Sequence, residues 1–341
     1  MHGIQVSRFG GPEVLEHREL PVPEPGAGQV RVRLRAIGVN PADTYIRTGT
    51  YAFFTPELPY VPGFDGSGVV DAVGAGVDEV TPGDRVFVAA LGTPGCSGLY
   101  ADLAVVDAAA VHPLPSTLSY GQGAAVGVPC VTAWRALFQK ARLQPGETVL
   151  IHGASGGVGV PATQLAADAG AVVVGTAGSA AGMEVVRRAG AGHVLDHSAP
   201  GYLDELSGIT GGRGVSVVVE MLADVNLEHD LGVLAAGGRV VVVGSRGRLE
   251  FTPRLTMIKE ATVMGTALWN ASEAETTDAL AAVAAKLRSG ALAPVVGEEL
   301  PLARGGARAP PDPRVRGSRE ADPGAGPSLR AGRMVGVDLH P

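Results

Sequence analysis

The sequence predicts an α/β protein built in two parts, a small β-barrel followed by a doubly wound parallel sheet. Three observations predict it. Up to about residue 120 the chain runs in short alternating apolar and polar segments broken by Gly and Pro. Beyond about residue 122, segments apolar on both faces alternate with helical stretches. Between them, at 148–165, a strand enters a glycine-rich turn that opens into a helix. The 341 residues fit two domains at roughly 100–200 residues each. We place them at 1–121 and 122–291, with 292–341 expected to return to the first.

In the first part QVRVRLRAIGV alternates strictly. Val30, Val32, Leu34 and Ala36 face one side and Arg31, Arg33 and Arg35 the other, which is a strand with one wet face. Further short strands are expected at 68–73, 84–89 and 101–106, with turn chemistry at Pro62-Gly63, Pro82-Gly83 and Pro94-Gly95. In the second part the expected order is TVLIHG, a helix at 156–169, AVVVGTA, a helix at 180–189, VSVVVE at 215–220, a helix at 225–234 and RVVVVG at 239–244. The runs 172–174 and 240–243 are apolar on both faces, as parallel strands covered by helices must be. A helix at 273–288 leads back toward the first part.

Composition excludes several classes of function. Hydrophobic residues make up 45%, enough for a packed core, so the chain as a whole is not disordered. No stretch reaches the ~18 uninterrupted apolar residues of a membrane helix. Arg8, Glu13, Glu16, His17, Arg18 and Glu19 interrupt the opening segment, so no secretory signal is expected there. A net charge of −7 speaks against nucleic acid as a partner. With Cys96 and Cys130 alone, neither a four-cysteine zinc site nor a disulfide framework can be built, and the cytoplasm is the expected compartment.

The chemistry concentrates in TVLIHGASGGVGVPATQL. Gly153, Gly156 and Gly159 follow a strand and precede a helix. Such a turn lets a pyrophosphate approach the main chain, and the amides at the helix N-terminus then stabilise the anion. The same residues also satisfy GxSxG, the nucleophile elbow of hydrolases, with Asp196 and His229 following in the required order. That elbow does not need Gly159, and the preceding barrel has no place in that fold. An NAD site places a carboxylate at the end of the second strand. Here we assign that position to Gly175, no acid occurs between Asp168 and Glu184, and Thr176 and Ser179 offer hydroxyls. NADPH is therefore the expected cofactor.

GVNPADTYIRTGTY, LPYVPGFDGSGVV, GDRVF, HGASGGVG, GTAG, EMLADVNL and GGRVVVVGSRG resemble the zeta-crystallin branch of the medium-chain dehydrogenase/reductase superfamily, a branch of NADPH:quinone reductases. The resemblance runs from about residue 4 to residue 302. It implies a GroES-like barrel domain, a Rossmann domain and an active site in the cleft between them. Zinc-using members of the superfamily carry a cysteine where this chain has Asn40, and Gly-His-Glu where it reads Gly63-Phe64-Asp65. The resemblance therefore implies a zinc-free enzyme, with Cys96 a loop or small core residue.

By the same resemblance Asn40, Tyr45 and Tyr51 are the catalytic candidates. Asn40 would bond the nicotinamide carboxamide or the acceptor carbonyl, Tyr45 would donate its hydroxyl at the nicotinamide end, and Tyr51 would contact the acceptor. Cofactor contacts carry over to Gly153, Ser155, Gly156, Gly157, Val158 and Gly159 at the pyrophosphate and to Gly178 beyond the second strand. His197 and Tyr202 match residues near the adenosine phosphate. Asn226, Val243, Gly244, Ser245 and Arg246 match the far rim, and Thr266, Ala267 and Leu268 a strand beside the nicotinamide. The expected activity is hydride transfer from NADPH to a quinone. The alternative is reduction of an activated alkene, an enoyl reductase with Tyr45 as proton donor. A third reading is a non-enzymatic NADPH- or RNA-binding protein. A homodimer or homotetramer is implied, with no membrane partner.

The end of the chain departs from the family. Residues 303–341 hold six prolines, seven glycines, seven arginines, four acids and no lysine, and periodicity is lost until 334–339. The segment reads as disordered or extended. It has the composition of GC-rich DNA read out of frame, and we read a frameshift near codon 303, which resequencing that codon tests. The final barrel strand of the family, and any cofactor contacts from it, are put in doubt by this ending.

Overall fold

The computed structural model describes residues 1–90, 96–304 and 333–336. The chain divides into two compact units. One contains Met1–Gly127 together with residues 296–304 and 333–336, and the other is Val128–Val295.

In the first unit β1 (His2–Gln5) and β2 (Glu16–Glu19) pair antiparallel. A larger sheet is built from β3 (Gln29–Val39), β4 (Asp65–Val73), β5 (Arg85–Ala89), β6 (Leu103–Asp107) and β7 (Val111–Pro113). The expected alternation along β3 is observed. Val30, Val32 and Leu34 are buried, while Arg31 and Arg33 lie on the wet face and grip Asp71 of β4 at 2.7 and 2.5 Å. The strand expected at 68–73 begins earlier, because Asp65–Ser67 also pairs with β3 and β5. Ile4, Val32, Ile37, Val86, Val88 and Leu99 are among the residues that close this core, each worth about 1.5–3 kcal/mol on burial. The Pro94-Gly95 turn lies outside the described residues. Cys96 does pack against the core, and burial pushes its thiol up to about 11.

After β3 comes α1 (Pro41–Arg47). After β7 come α2 (Tyr120–Ala124) and α3 (Gly127–Trp134), where the two units join. The second unit holds β8 (Thr148–Ile151), α4 (Gly159–Asp168), β9 (Val172–Ala177), α5 (Ala180–Arg188), β10 (His193–Asp196), α6 (Glu205–Thr210), β11 (Val215–Glu220), α7 (Ala223–Val233), β12 (Leu234–Val242), α8 (Arg254–Lys259), β13 (Thr262–Gly265) and α9 (Glu273–Ser289). The sheet is parallel, in the order β10-β9-β8-β11-β12-β13. Val149, Leu150, Val173, Val174, Val217, Val218, Val240 and Val241 are all buried, as strands covered on both faces require. The helix expected at 156–169 begins only at Gly159, so the preceding turn is longer than the periodicity suggests. α9 is bounded by a Ser272–Glu275 capping box and by Gly290 at φ 78°.

Near the end of the chain lie β14 (Glu299–Pro301) and β15 (Arg333–Gly336). β15 runs parallel to β3 and antiparallel to β14, so a final strand does return to the first sheet. It does so because four residues suffice to satisfy the main-chain edge of β3 between Ala36 and Val39. The rest of the atypical tail lies outside the described residues. Among the described residues no helix is long and apolar enough to cross a membrane.

Candidate functional site

The strand order reverses between β8 and β11. From β8 the chain winds outward through β9 and β10, and it then returns to the other side of β8 for β11, β12 and β13. Crevices for ligands form outside the carboxyl ends of strands at such a reversal. The glycine-rich turn follows β8 at this place. Gly153 adopts φ 55°, and its N–H donates to Thr176 Oγ1 at 3.1 Å. Ala154 N–H donates to Thr176 O at 2.8 Å, which fastens the turn to β9. Gly159 serves packing: a Cβ there would lie 2.3 Å from Gly153 O and 2.6 Å from Ala154 Cα.

α4 begins without a side-chain cap, with no acid in its first turn. Among the described residues the N–H groups of Ser155, Gly157 and Val158 have no acceptor within the chain. All three residues are half-buried. Unsatisfied donors at a helix N-terminus are a seat for an anion.

The other dinucleotide candidates lie at the carboxyl ends of the remaining strands or in the segments that follow. Gly178 is in the exposed bend after β9. His197 follows β10, with Nδ1 3.3 Å from Thr176 Oγ1, and Tyr202 is in the short turn beyond it. Asn226 is on α7, and its Nδ2 donates to Glu220 Oε1 at 3.2 Å. Val243 and Gly244 follow β12, and both N–H groups donate to Glu220 O, at 2.8 and 3.3 Å. Ser245 Oγ and Arg246 N–H both donate to Asp224 Oδ1, at 3.2 and 2.8 Å. Thr266 and Ala267 follow β13, and Leu268 opens a short helical turn.

Three sequence-based readings change. Gly175 is not at the end of the second strand, because β9 continues to Ala177. Gly175 is a packing position, where a Cβ would meet Val186 Cγ1 at 2.5 Å and Ala154 Cβ at 2.9 Å. The strand end is Ala177-Gly178-Ser179, and it too carries no carboxylate. Thr176 is buried and uses its hydroxyl to accept the Gly153 N–H, so it offers nothing outward. Ser179 caps α5, accepting the Gly182 N–H at 3.1 Å. The hydrolase alternative also fails. Asp196 accepts hydrogen bonds from Ser198 at the β10 edge, whereas His229 is exposed on α7 beyond β11, so no relay to Ser155 forms.

In the first unit, α1 brings Asn40, Tyr45 and Tyr51 into one neighbourhood. Asn40 is buried at its start, and its N–H donates to Asp43 Oδ2 at 2.8 Å. Thr50 N–H donates to Tyr45 O, which folds the following loop back, and the Tyr45 and Tyr51 rings stack at 6.4 Å. Phe53, 48% exposed, meets Tyr51 edge to face at 5.4 Å. Aromatic residues make up only 4% of the chain, yet Tyr45 of α1 and Tyr51 and Phe53 of the loop after it gather here. Below them Asp43 accepts the Tyr100 hydroxyl at 3.1 Å. Burial pushes the Asp43 carboxyl up to about 6 despite these donors.

Comparison with known proteins bears on this geometry. Residues 26–116 match the family described as the alcohol dehydrogenase GroES-like domain, and residues 157–285 match the zinc-binding dehydrogenase family. The human quinone oxidoreductase is 45% identical over 303 residues, which is 89% of this chain and 91% of the relative. The chain belongs to the quinone oxidoreductase family. Among solved structures, an Escherichia coli quinone oxidoreductase complexed with NADPH superposes with a TM-score of 0.76 at 27% identity, over 99% of this chain and all of the other. A structure titled NAD-dependent alcohol dehydrogenase gives 0.85 at 31%, over 99% of each chain.

One of the two matching family descriptions implies zinc, and the donors present in this quinone oxidoreductase family member do not fit it. Where zinc-using relatives would place Cys and a His–carboxylate pair stand Asn40, Phe64 and Asp65. Asn40 Nδ2 donates to Asp65 Oδ2 at 2.8 Å. A neutral amide bonded to one carboxylate lacks the thiolate and imidazole of a tetrahedral site.

Sequence reasoning missed one feature of the second unit. His152 Nε2 lies 2.8 Å from Asp230 Oδ1 and 3.4 Å from Glu220 Oε2, and all three side chains are buried. A carboxylate ending the otherwise apolar VSVVVE strand is the signal that could have exposed it.

Proposed function

We propose that this protein is an NADPH:quinone oxidoreductase that transfers hydride without zinc. The observation that carries the reading is the set of unengaged N–H groups at Ser155, Gly157 and Val158, at the reversal point of a parallel sheet. It fits the pyrophosphate of a dinucleotide. No carboxylate occurs from 169 to 183, so β9 itself ends without the acid that an NAD site places there, which supports NADPH over NADH. The homologues named quinone oxidoreductase at 45% identity support the acceptor class.

When bound, NADPH supplies the hydride, and a quinone accepts it with a proton to become a hydroquinone. The second unit's residues hold the dinucleotide: Ser155 to Gly159 at the pyrophosphate, Gly178, His197 and Tyr202 toward the adenosine half, and Asn226, Val243 to Arg246 and Thr266 to Leu268 along the rest. The first unit's residues serve the acceptor. The Tyr45 hydroxyl and the Asn40 amide offer hydrogen bonds to a carbonyl oxygen. The Tyr51 ring and the Phe53 ring that meets it edge to face offer apolar surface against which a quinone ring can pack.

The protein works as a homodimer or homotetramer in a reducing cytoplasm on this reading. Met257 (75% exposed), Ile258 and Val263 leave apolar surface beside the edge strand β13, and Cys96 and Cys130 are not joined in a disulfide.

The test is NADPH oxidation measured in parallel with a 1,4-quinone and a 2-enoyl thioester, each repeated with NADH. We expect quinone turnover with NADPH. Turnover of the thioester alone would make the protein an enoyl reductase with Tyr45 as proton donor. Binding without any turnover would make it a nucleotide-binding protein.

A further inference from the structure

We propose that Glu220 is a positioning residue for the dinucleotide site, locking the glycine-rich turn to the β11–α7 turn through a buried cluster with His152 and Asp230. The inference rests on the reading that this turn holds a dinucleotide.

Glu220 ends β11 at the sheet's reversal point and is fully buried. Its groups reach four segments. Oε1 accepts the Leu222 N–H and, at 3.2 Å, Asn226 Nδ2, which sets the start of α7. Oε2 faces His152 Nε2, on the residue immediately before Gly153. Its main-chain carbonyl receives Val243 and Gly244 from the end of β12. His152 N–H donates to Val219 O at 3.1 Å, and its ring bonds Asp230 of α7. Nε2 bonds Asp230 Oδ1, whereas Glu220 Oε2, 3.4 Å from Nε2, is buried with no hydrogen-bond partner of its own. The Tyr202 ring covers His152 edge to face at 6.4 Å. Three segments that carry candidate dinucleotide residues, the turn opening at Gly153, α7 with Asn226 and the end of β12 with Val243-Gly244, thus meet at one residue, through its carboxyl group and its main-chain carbonyl.

The cluster's charge matters because it is buried. The groups facing Glu220 are His152 from the β8 turn, Asp230 and Asn226 from α7, and Tyr202 from the turn after β10. Among the described residues no Lys or Arg pairs with it. Two buried carboxyl groups whose oxygens lie within 4.8 Å of each other resist ionising together, so the pair retains one proton. Burial pushes both Glu220 and Asp230 up toward neutrality and keeps His152 low, hence uncharged. Loss of the retained proton would place two negative charges around one imidazole. The Leu222–Asn226 turn is the part able to yield. Nucleotide affinity is therefore expected to fall as pH rises through neutrality.

The experiment measures NADPH dissociation constants and quinone kcat and KM, between about pH 6 and about pH 9, for the full chain and for Glu220→Gln and Glu220→Ala. Glu220→Gln keeps an acceptor for Leu222 and Asn226 but cannot ionise, so the affinity should lose its dependence on pH. Glu220→Ala should weaken NADPH by about tenfold or more at every pH, with kcat at saturating NADPH nearly unchanged. Should Glu220→Ala not fold, Glu220→Gln carries the test alone. A wild-type pH profile in Glu220→Gln, or wild-type affinity in a folded Glu220→Ala, overturns the proposal. One divalent ion per purified chain, lost with chelator, overturns it as well, because the cluster would then be a ligand set. If wild type binds no NADPH at all, the dinucleotide reading fails first, and this proposal fails with it.

Discussion

Gly159→Ala tests the glycine-rich turn most directly. The added Cβ would sit 2.3 Å from Gly153 O, 2.6 Å from Ala154 Cα and 2.7 Å from Ala154 C, all of them main chain. Ordinary contact lies near ~3.5 Å, so α4 must withdraw by about 1 Å. Overpacking of this kind costs about 1–3 kcal/mol, and the helical preference of Ala over Gly offsets at most about 1 kcal/mol. The net loss of about 1–2 kcal/mol should lower Tm by about 2–8 °C. The withdrawn helix also takes its amides away from the anion, which should raise the NADPH Kd by about tenfold or more. Gly208→Ala, in α6, is the matched control. No atom lies within 4 Å of its Cβ, so it should gain up to about 1 kcal/mol and leave Kd untouched. Thermal unfolding and titration calorimetry on both variants decide the matter. If Gly159→Ala behaves like Gly208→Ala in both assays, the close approach of helix and turn is not what holds this site.

Three further outcomes follow from the same geometry. The folded Asp43 carboxyl, raised to about 6 by burial against an ordinary 3.8, holds its proton more tightly than the unfolded chain does. Its contribution to stability is complete below about pH 4 and is lost as pH rises through about 6, amounting to about 3 kcal/mol. Urea unfolding of wild type and Asp43→Asn should therefore give profiles that diverge by about that amount across this interval; parallel profiles would refute it. Arg239 clasps Glu147 with two bonds of 2.8 and 2.7 Å and donates to Ala141 O at 3.0 Å. Arg239→Ala should cost about 2 kcal/mol. The Arg239 bond holds the Glu147 carboxyl below its ordinary value, so that deficit should shrink as pH falls into the acid range in the same urea assay. Tyr51→Ala removes the ring stacked on Tyr45 and should raise the quinone KM about five- to tenfold. The NADPH Kd should not move.

Much of the fold was legible in the chain, for reasons that differ by element. β3 could be read because one of its faces meets water, which forces Val30, Val32 and Leu34 to alternate with arginines. The glycine-rich turn could be read because the tight seat of Gly159 admits no ordinary side chain and the φ near 55° at Gly153 favours glycine. Gly175 was misplaced because an apolar run such as VVVGTA shows no periodicity at its end. Only the pairing of β9 with β10, continuing to Ala177, marks where the strand stops. β15 left only a trace, the return of apolar residues at 334–339, because a strand of four residues within an arginine- and glycine-rich tail has too few side chains to show a full pattern. Its partners are main-chain groups of β3 and β14.

The sequence by itself determined the local matters: which segments pair or coil, where glycine is obligatory, and the missing carboxylate between 169 and 183. Each depends on the preferences of neighbouring residues, which are present in the chain before it folds. The tertiary structure alone decided that β11 lies beside β8. That choice brings His152 to Glu220 and Asp230, and gathers the ends of six strands along one edge. It follows from the burial of whole sheet faces between residues far apart in the chain, and no local pattern records which distant strand a given strand will meet.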